Sequence, residues 1–330
     1  MRWGAAAATV AGLALAGWLL AHHGLPGILG LLHQAGWGIG LVVAFHLLQL
    51  LASSEAWRAA TGRQHRRPGV LAFLLLRWVR EGINTMLPVA QIGGEVVGAR
   101  LLHRRGVPLP AAIAGSVGDV AVGVLTQALF TLIGLGLLVA LVGMSATAAW
   151  LIAGTVAALA VAALLAAGVR YGWAGRTGRW VSVRLRRAAT RGIPGLRGLG
   201  SAFRTLGRDR RALARCGGLH MVSWLLGGTE VCLALHVLGR EAGFAEALAI
   251  EALGQAIRTA GFVIPGALGV AEGGYVLVCA LFGLPPDVAI ALALMKRLRE
   301  LAFGLPALVA WQVLEARPVF SLESAARTDA

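Results

Sequence analysis

The sequence has 330 residues, of which 58% are hydrophobic and only 14% charged, with a mean hydropathy of +0.75. That balance excludes an ordinary soluble domain. The net charge of +15 is almost all arginine, with Lys296 the only lysine. With no soluble domain to present a basic face, it speaks for cytoplasmic loops rather than for nucleic-acid binding.

Several apolar runs approach the ~20 residues a helix needs to cross a bilayer. They are continuous, where barrel strands would alternate, so the predicted fold is an all-α polytopic transmembrane bundle. Met1-Arg2 and the apolar run to Ala21 read as an uncleaved first span, about Gly4–Ala21, since no small-x-small cleavage site follows and many spans do. Residues 22–34 hold no Arg or Lys, which suits the periplasmic side. Span two is about Trp37–Trp57, and the arginines after it (Arg58, Arg63, Arg66, Arg67) mark a cytoplasmic loop. Two shorter segments, Val70–Leu87 and Gly93–Arg104, are hinged at Pro88 and Gly93-Gly94 and read as a re-entrant pair opening to the cytoplasm. Pro110–Val142 is longer than one perpendicular span, and a tilt, or a break near Gly123, is expected.

Ala148–Val169 is the next span. Arg170–Arg215 follows, with thirteen arginines against the single acid Asp209. It reads as a cytoplasmic loop, with short amphipathic helices on an anionic membrane surface as the sharper alternative. Gly217–Gly239 crosses back carrying Glu230. Ala245–Ile264 and Gly269–Phe282 form a second broken pair, and Val288–Val313 is the last span. The expected location is a bacterial inner membrane, with the N-terminus, the basic loop and the C-terminus cytoplasmic.

The two broken pairs are copies. At an offset of 177 residues Leu87-Pro88-Val89-Ala90 becomes Ile264-Pro265-Gly266-Ala267, Glu95 becomes Glu272, and Gly106-Val107-Pro108 becomes Gly283-Leu284-Pro285. Ala112-Ile113-Ala114 likewise becomes Ala289-Ile290-Ala291. The turns around the first pair are rich in arginine, and those around the second, with Arg240 and Asp287, nearly free of positive charge. One transmembrane domain of two inverted repeats is expected, about 1–145 and 146–316, with a short tail at 317–330. In such proteins the substrate site lies near the midplane, where broken helices meet.

Ionisable groups in spans cost a few kcal/mol each, so they are functional or paired. Glu95 and Glu272 stand out, each seven residues after a proline and just inside a helix; capping that helix is the plainer reading. Arg77, Arg80 and Glu81 lie within about one turn and can satisfy one another. At the same offset Glu81 maps onto Arg258 and Asp119 onto Lys296, beside Arg297 and Arg299, and these reversals suggest pairing across the repeats. A salt-bridge network holding the repeats together is one role. The functional role assigns arginines, with Arg100, to an anionic headgroup and carboxylates to proton coupling, with Asn84 and Gln91 hydrogen-bonding the headgroup. Glu55 and Glu230 nearly correspond and read as interfacial. Cys216, Cys232 and Cys279 show neither disulfide nor zinc spacing, and His22, His23, His33, His46, His103, His220 and His236 show no ligand spacing beside carboxylates, so no metal or cofactor is expected. Trp37, Trp57 and Trp150 near span ends fit an aromatic belt.

Asn84–Glu95 (NTMLPVAQIGGE), Val97-Gly98-Ala99-Arg100 and Ile264–Glu272 (IPGALGVAE) give the chain a family likeness. It resembles the transmembrane region of lysylphosphatidylglycerol synthases and the flippase-like YbhN-type membrane proteins, most of all the HpnL-type proteins of hopanoid biosynthesis. The family motif falls on Asn84, Pro88, Gly93, Gly94, Glu95, Pro265, Gly266, Gly269 and Glu272. The resemblance implies a lipid translocator or lipid-handling protein acting on a phospholipid, an isoprenoid lipid or a hopanoid, with lipid-biosynthesis proteins as candidate partners. After Val313 only a short tail follows, so lysine transfer to lipid is not expected. A membrane-embedded lipid-modifying enzyme with an intramembrane carboxylate as base, and a non-catalytic subunit of a lipid-synthesis complex, are the rival readings.

Overall fold

The computed structural model describes residues 25–62, 68–87, 93–144, 198–261 and 267–316, with a few positions at 17–18, between 146 and 157, and at 264. The first span, most of Ala148–Val169, most of the basic loop, the tail, and the break residues Pro88, Gln91, Pro265 and Gly266 lie outside these. Among the described residues there are ten helices and no strand. In chain order they are α1 Leu25–Ala35, α2 Gly38–Ala60, α3 Val70–Met86, α4 Gly93–Arg104 and α5 Leu109–Val142. Then come α6 Leu199–Arg208, α7 Arg210–Val237, α8 Phe244–Ala260, α9 Val270–Leu281 and α10 Pro286–Ala316. Three of them, α2, α5 and α7, are long and apolar enough to cross a membrane. The 31-residue α10 also has the length, but its centre carries charge.

Local chemistry sets the breaks. Leu87, just before Pro88, is extended (φ −104°, ψ 143°), because a following proline disfavours the helical region, and α3 stops there. α4 and α9 end in the same glycine cap. Gly106 (φ +92°) and Gly283 (φ +71°) sit in the left-handed region, Val107 N–H donates to Leu102 O, and Leu284 N–H donates to Cys279 O. The two caps are 177 residues apart, as are Gly62 (φ +81°) and Gly239 (φ +72°) after α2 and α7.

Helix lengths match across the same spacing. α3 and α8 are both 17 residues long, and α4 and α9 both 12. Each half's 17-residue helix packs on the other half's long helix, α3 on α10 and α8 on α5, while α2 packs along α7. Small residues allow the close crossings, as is usual between helices in lipid. A Cβ on Gly82 of α3 would lie 2.5 Å from Ala307 Cβ of α10.

Three sequence expectations change. α5 is one unbroken helix of 34 residues running through Gly123. At ~1.5 Å per residue it is roughly 50 Å long against a hydrocarbon core of ~30 Å, so it tilts or projects rather than breaks. Residues 25–35, expected as a connection, form α1, which packs on α10 and buries Ile28. Trp57 is no belt residue. It is fully buried, edge-on to Phe73 at 5.3 Å and donating from Nε1 to Ser116 Oγ at 3.2 Å, whereas Trp37 is 95% exposed.

α10 shows how the chain solves the problem of charge in an apolar bundle. Leu298, Leu301, Leu305, Val309 and Val313 form an exposed stripe at helical spacing, while Lys296, Arg299 and Glu300 are buried on the other side. The helix is inside out relative to a soluble one, as expected where lipid is the solvent. It also runs through Pro306, which removes a helical donor; nearby, Trp78 Nε1 donates to the Phe303 carbonyl at 2.9 Å.

Candidate functional site

The sequence puts charges on nine of the ten helices, and the fold gathers those of seven into a buried ionic network between the halves. In the first half α3 supplies Arg77 and Arg80, which converge on Asp119 of α5. Arg77 Nη1 lies 2.9 Å and Arg80 Nη1 2.8 Å from its Oδ2, and His220 Nε2 of α7 is 2.8 Å from its Oδ1. Arg80 also grips Glu95 with two nitrogens, at 2.8 and 2.7 Å. Asn84 ties the broken pair together: its Oδ1 accepts Gly94 N–H at 2.8 Å and its Nδ2 donates to Glu95 at 3.3 Å. The expected Arg77–Glu81 pair is present at 4.0 Å.

In the second half Glu272 occupies the position of Glu95, third in its helix. One oxygen accepts the Gly269 N–H at 2.7 Å, so the cap reading holds, and the other takes Arg297 at 3.0 Å. Arg297 also reaches Glu300 at 2.8 Å, and Glu300 pairs with Arg258. Deeper in, Lys296 lies 2.7 Å from Glu251, which also accepts the Tyr275 hydroxyl at 3.1 Å. Glu230, fully buried, receives Arg299 at 2.5 Å on one oxygen and Gln49 on the other. His46 joins the halves, with Nε2 3.2 Å from Glu81 and Nδ1 3.6 Å from Glu230.

Of the two expected charge reversals, Asp119 against Lys296 keeps its residues and Glu81 against Arg258 does not. Helices α3 and α8 begin at 70 and 244, an offset of 174 rather than 177, because the break in the second half is three residues longer. Arg77 therefore corresponds to Glu251, while Asp119 still corresponds to Lys296. The Arg77–Asp119 pair recurs as Glu251–Lys296 with its charges exchanged. Glu81 corresponds to Gln255, not to Arg258, and neither Arg258 with Glu81 nor Asp119 with Lys296 forms an ion pair. Size is exchanged as well. Arg80 covers Gly98 in the first half; in the second, Tyr275, at the position of Gly98, covers Gly254, at the position of Arg80.

Of the sequence candidates, Arg77, Arg80, Glu81, Asn84, Glu95, Asp119, Arg258, Glu272, Lys296 and Arg297 come together. Arg100 does not: it is 66% exposed at the side chain and pairs with Glu315 of α10 at 2.7 Å. The network adds His46, Gln49, His220, Glu230, Glu251, Tyr275, Arg299 and Glu300. Glu230 is its centre, not an interfacial residue, whereas Glu55 is held at 2.6 Å by Arg58 toward the basic end. Asp119, Cys216 and His220 place ligand atoms within 4.8 Å of one another, a grouping that sequence spacing hid. Two guanidiniums already hold that carboxylate, and they would repel a metal cation.

Six bases (Arg77, Arg80, Arg258, Lys296, Arg297, Arg299) thus meet seven carboxylates (Glu81, Glu95, Asp119, Glu230, Glu251, Glu272, Glu300). Removing such ions from water costs several kcal/mol each, which is tolerable only because they are matched. Four buried nitrogens of the network, His46 Nδ1, Arg77 Nε, Arg80 Nη1 and Lys296 Nζ, make no aligned hydrogen bond, although Arg80 and Lys296 stand at ion-pair distance from Asp119 and Glu251. The chain is therefore a helical membrane protein with a charged seam inside an apolar bundle. It belongs to the family of the lysylphosphatidylglycerol synthase transmembrane region, whose model matches residues 4–307. No curated protein and no solved structure matched the sequence.

Proposed function

We propose that this protein moves an amphipathic lipid between leaflets without altering it covalently. The observation that carries the reading is the ionic seam itself, which joins the first turns of both broken-pair helices, at Glu95 and Glu272, to the long helices of both halves. The guanidiniums of the seam are of the chemical type that binds phosphate or another anionic headgroup by charge-assisted hydrogen bonds. The apolar faces of α5 and α10 leave the acyl or polycyclic part in lipid. The element-by-element repeat, with its exchanged charges, supports two inverted units whose broken helices are re-entrant, the architecture of alternating access. A bacterial inner membrane and a phospholipid, isoprenoid lipid or hopanoid substrate complete the reading. The test is exchange of fluorescent lipid analogues in proteoliposomes. Labelled lipid in the inner leaflet is expected to become accessible to an external quencher faster than in protein-free vesicles. Rates equal to those of empty vesicles for all three lipid classes, or recovery of a chemically altered lipid, would overturn it.

A further inference from the structure

We infer that His46 is a proton-binding site joining the two halves, and that lipid movement is coupled to that proton; the coupling rests on the lipid-moving reading, the site does not. His46, on α2, faces carboxylates at both ring nitrogens, Glu81 of α3 at 3.2 Å from Nε2 and Glu230 of α7 at 3.6 Å from Nδ1. A neutral imidazole donates from only one nitrogen. Either neutral tautomer aims a lone pair at a carboxylate, while the imidazolium turns an N–H toward each, hydrogen-bonded to Glu81 and at ion-pair distance from the buried Glu230. His220 makes the contrast: its one carboxylate, Asp119, is satisfied by a single N–H.

The charge balance of the seam agrees. Seven carboxylates meet six bases, and Glu81 is the acid without a base of its own, since Arg77 is 4.0 Å away and closer to Asp119. One proton on His46 balances the seam. The groups around the ring come from every packed element. Gln49 shares α2, and Glu81 and Arg77 stand on α3. Glu230 is on α7, and Lys296, Arg299 and Glu300 are on α10. Arg299 is engaged with the Glu230 oxygen that does not face His46, and Gln49 donates to the one that does. Phe303 closes the ring's edge at 5.0 Å.

A small crevice reaches the ring. Lying between α3 and α10, with a volume of about 20 Å³, it touches His46, Glu81, Thr85 and Arg299, room for one water. The clamp spans the repeat boundary, so a relative movement of the halves separates His46 from Glu230 and frees the proton through Glu81.

The site is tested by ring-nitrogen NMR of histidine-labelled protein in lipid nanodiscs at pH 7, with the His46 signals assigned by their loss in His46→Gln. Should that variant not fold, Glu81→Gln provides the assignment by shifting them. Both nitrogens protonated, with reversion to a neutral ring in Glu81→Gln, is the expected result. A neutral ring in the wild type overturns the site. The coupling is tested in proteoliposomes with and without a pH gradient. Wild-type exchange is expected to change several-fold under the gradient and that of His46→Gln to ignore it; a wild type indifferent to the gradient overturns the coupling. No exchange in any vesicle removes the lipid-moving reading and the coupling together, and the NMR result still decides the site.

Discussion

At the scale of single residues, Asp119 is where burial and charge are most concentrated. Its side chain is 1% exposed and holds Arg77, Arg80 and His220. Asp119→Asn leaves two buried guanidiniums sharing a neutral amide. A loss of about 3–5 kcal/mol is expected, the usual cost of removing one partner of a buried pair. Denaturant unfolding in detergent micelles checks it, and a stability within 1 kcal/mol of wild type would show that the charges are not coupled. Arg100→Ala, by contrast, touches only the exposed pair with Glu315 and is expected to change stability by less than about 1 kcal/mol. Part of this was legible in the sequence. Glu95 and Glu272 announced themselves because a repeat that preserves glutamate in an apolar segment is rare. Glu251, Glu300 and His46 stayed hidden because none has a like residue at the offset of 177, so the repeat could not flag them. Glu230 was still detectable, as the lone acid of a long apolar helix.

At the scale of elements, the broken pairs depend on close approach at the break. A Cβ on Gly94 would lie 2.6 Å from Asn84 Oδ1 and push against the Arg80 backbone carbonyl. Gly94→Ala is therefore expected to part α3 from α4, cost about 1–3 kcal/mol, and loosen the Arg80–Glu95 contact. Hydrogen exchange should rise in 93–104 and not in 270–281; equal protection in both would contradict the expectation. Gly106 and Gly283 allow a parallel test, since alanine in the left-handed region costs roughly 1 kcal/mol. The helices of both pairs were readable to within a few residues because proline and glycine punctuate them. The unbroken course of α5 was not. A glycine inside an apolar helix looks the same in sequence whether it breaks the helix or lets a neighbour approach. The offset of 174 within the first helix of each pair was also invisible, and it moved the counterpart of Arg77 from Gly254 to Glu251.

At the scale of the molecule, the account is of two halves that exchange helices and charges across a buried seam. Its orientation rests on arginine in the connections. Tags at Arg63, Arg191 and Ala242 should report cytoplasm, cytoplasm and periplasm; Arg63 and Ala242 on the same side would remove the inverted arrangement. The proposal that the seam carries lipid movement has its most direct test in the double variant Glu95→Gln/Glu272→Gln, which removes the carboxylate from the start of α4 and of α9. Leaflet exchange of fluorescent lipids should be measured in proteoliposomes for the variant and the wild type, each first shown to be folded by its unfolding transition. The account predicts that the folded double variant loses exchange at least tenfold, an effect of about 1.4 kcal/mol or more on the barrier. A folded variant that moves lipid at the wild-type rate would contradict it.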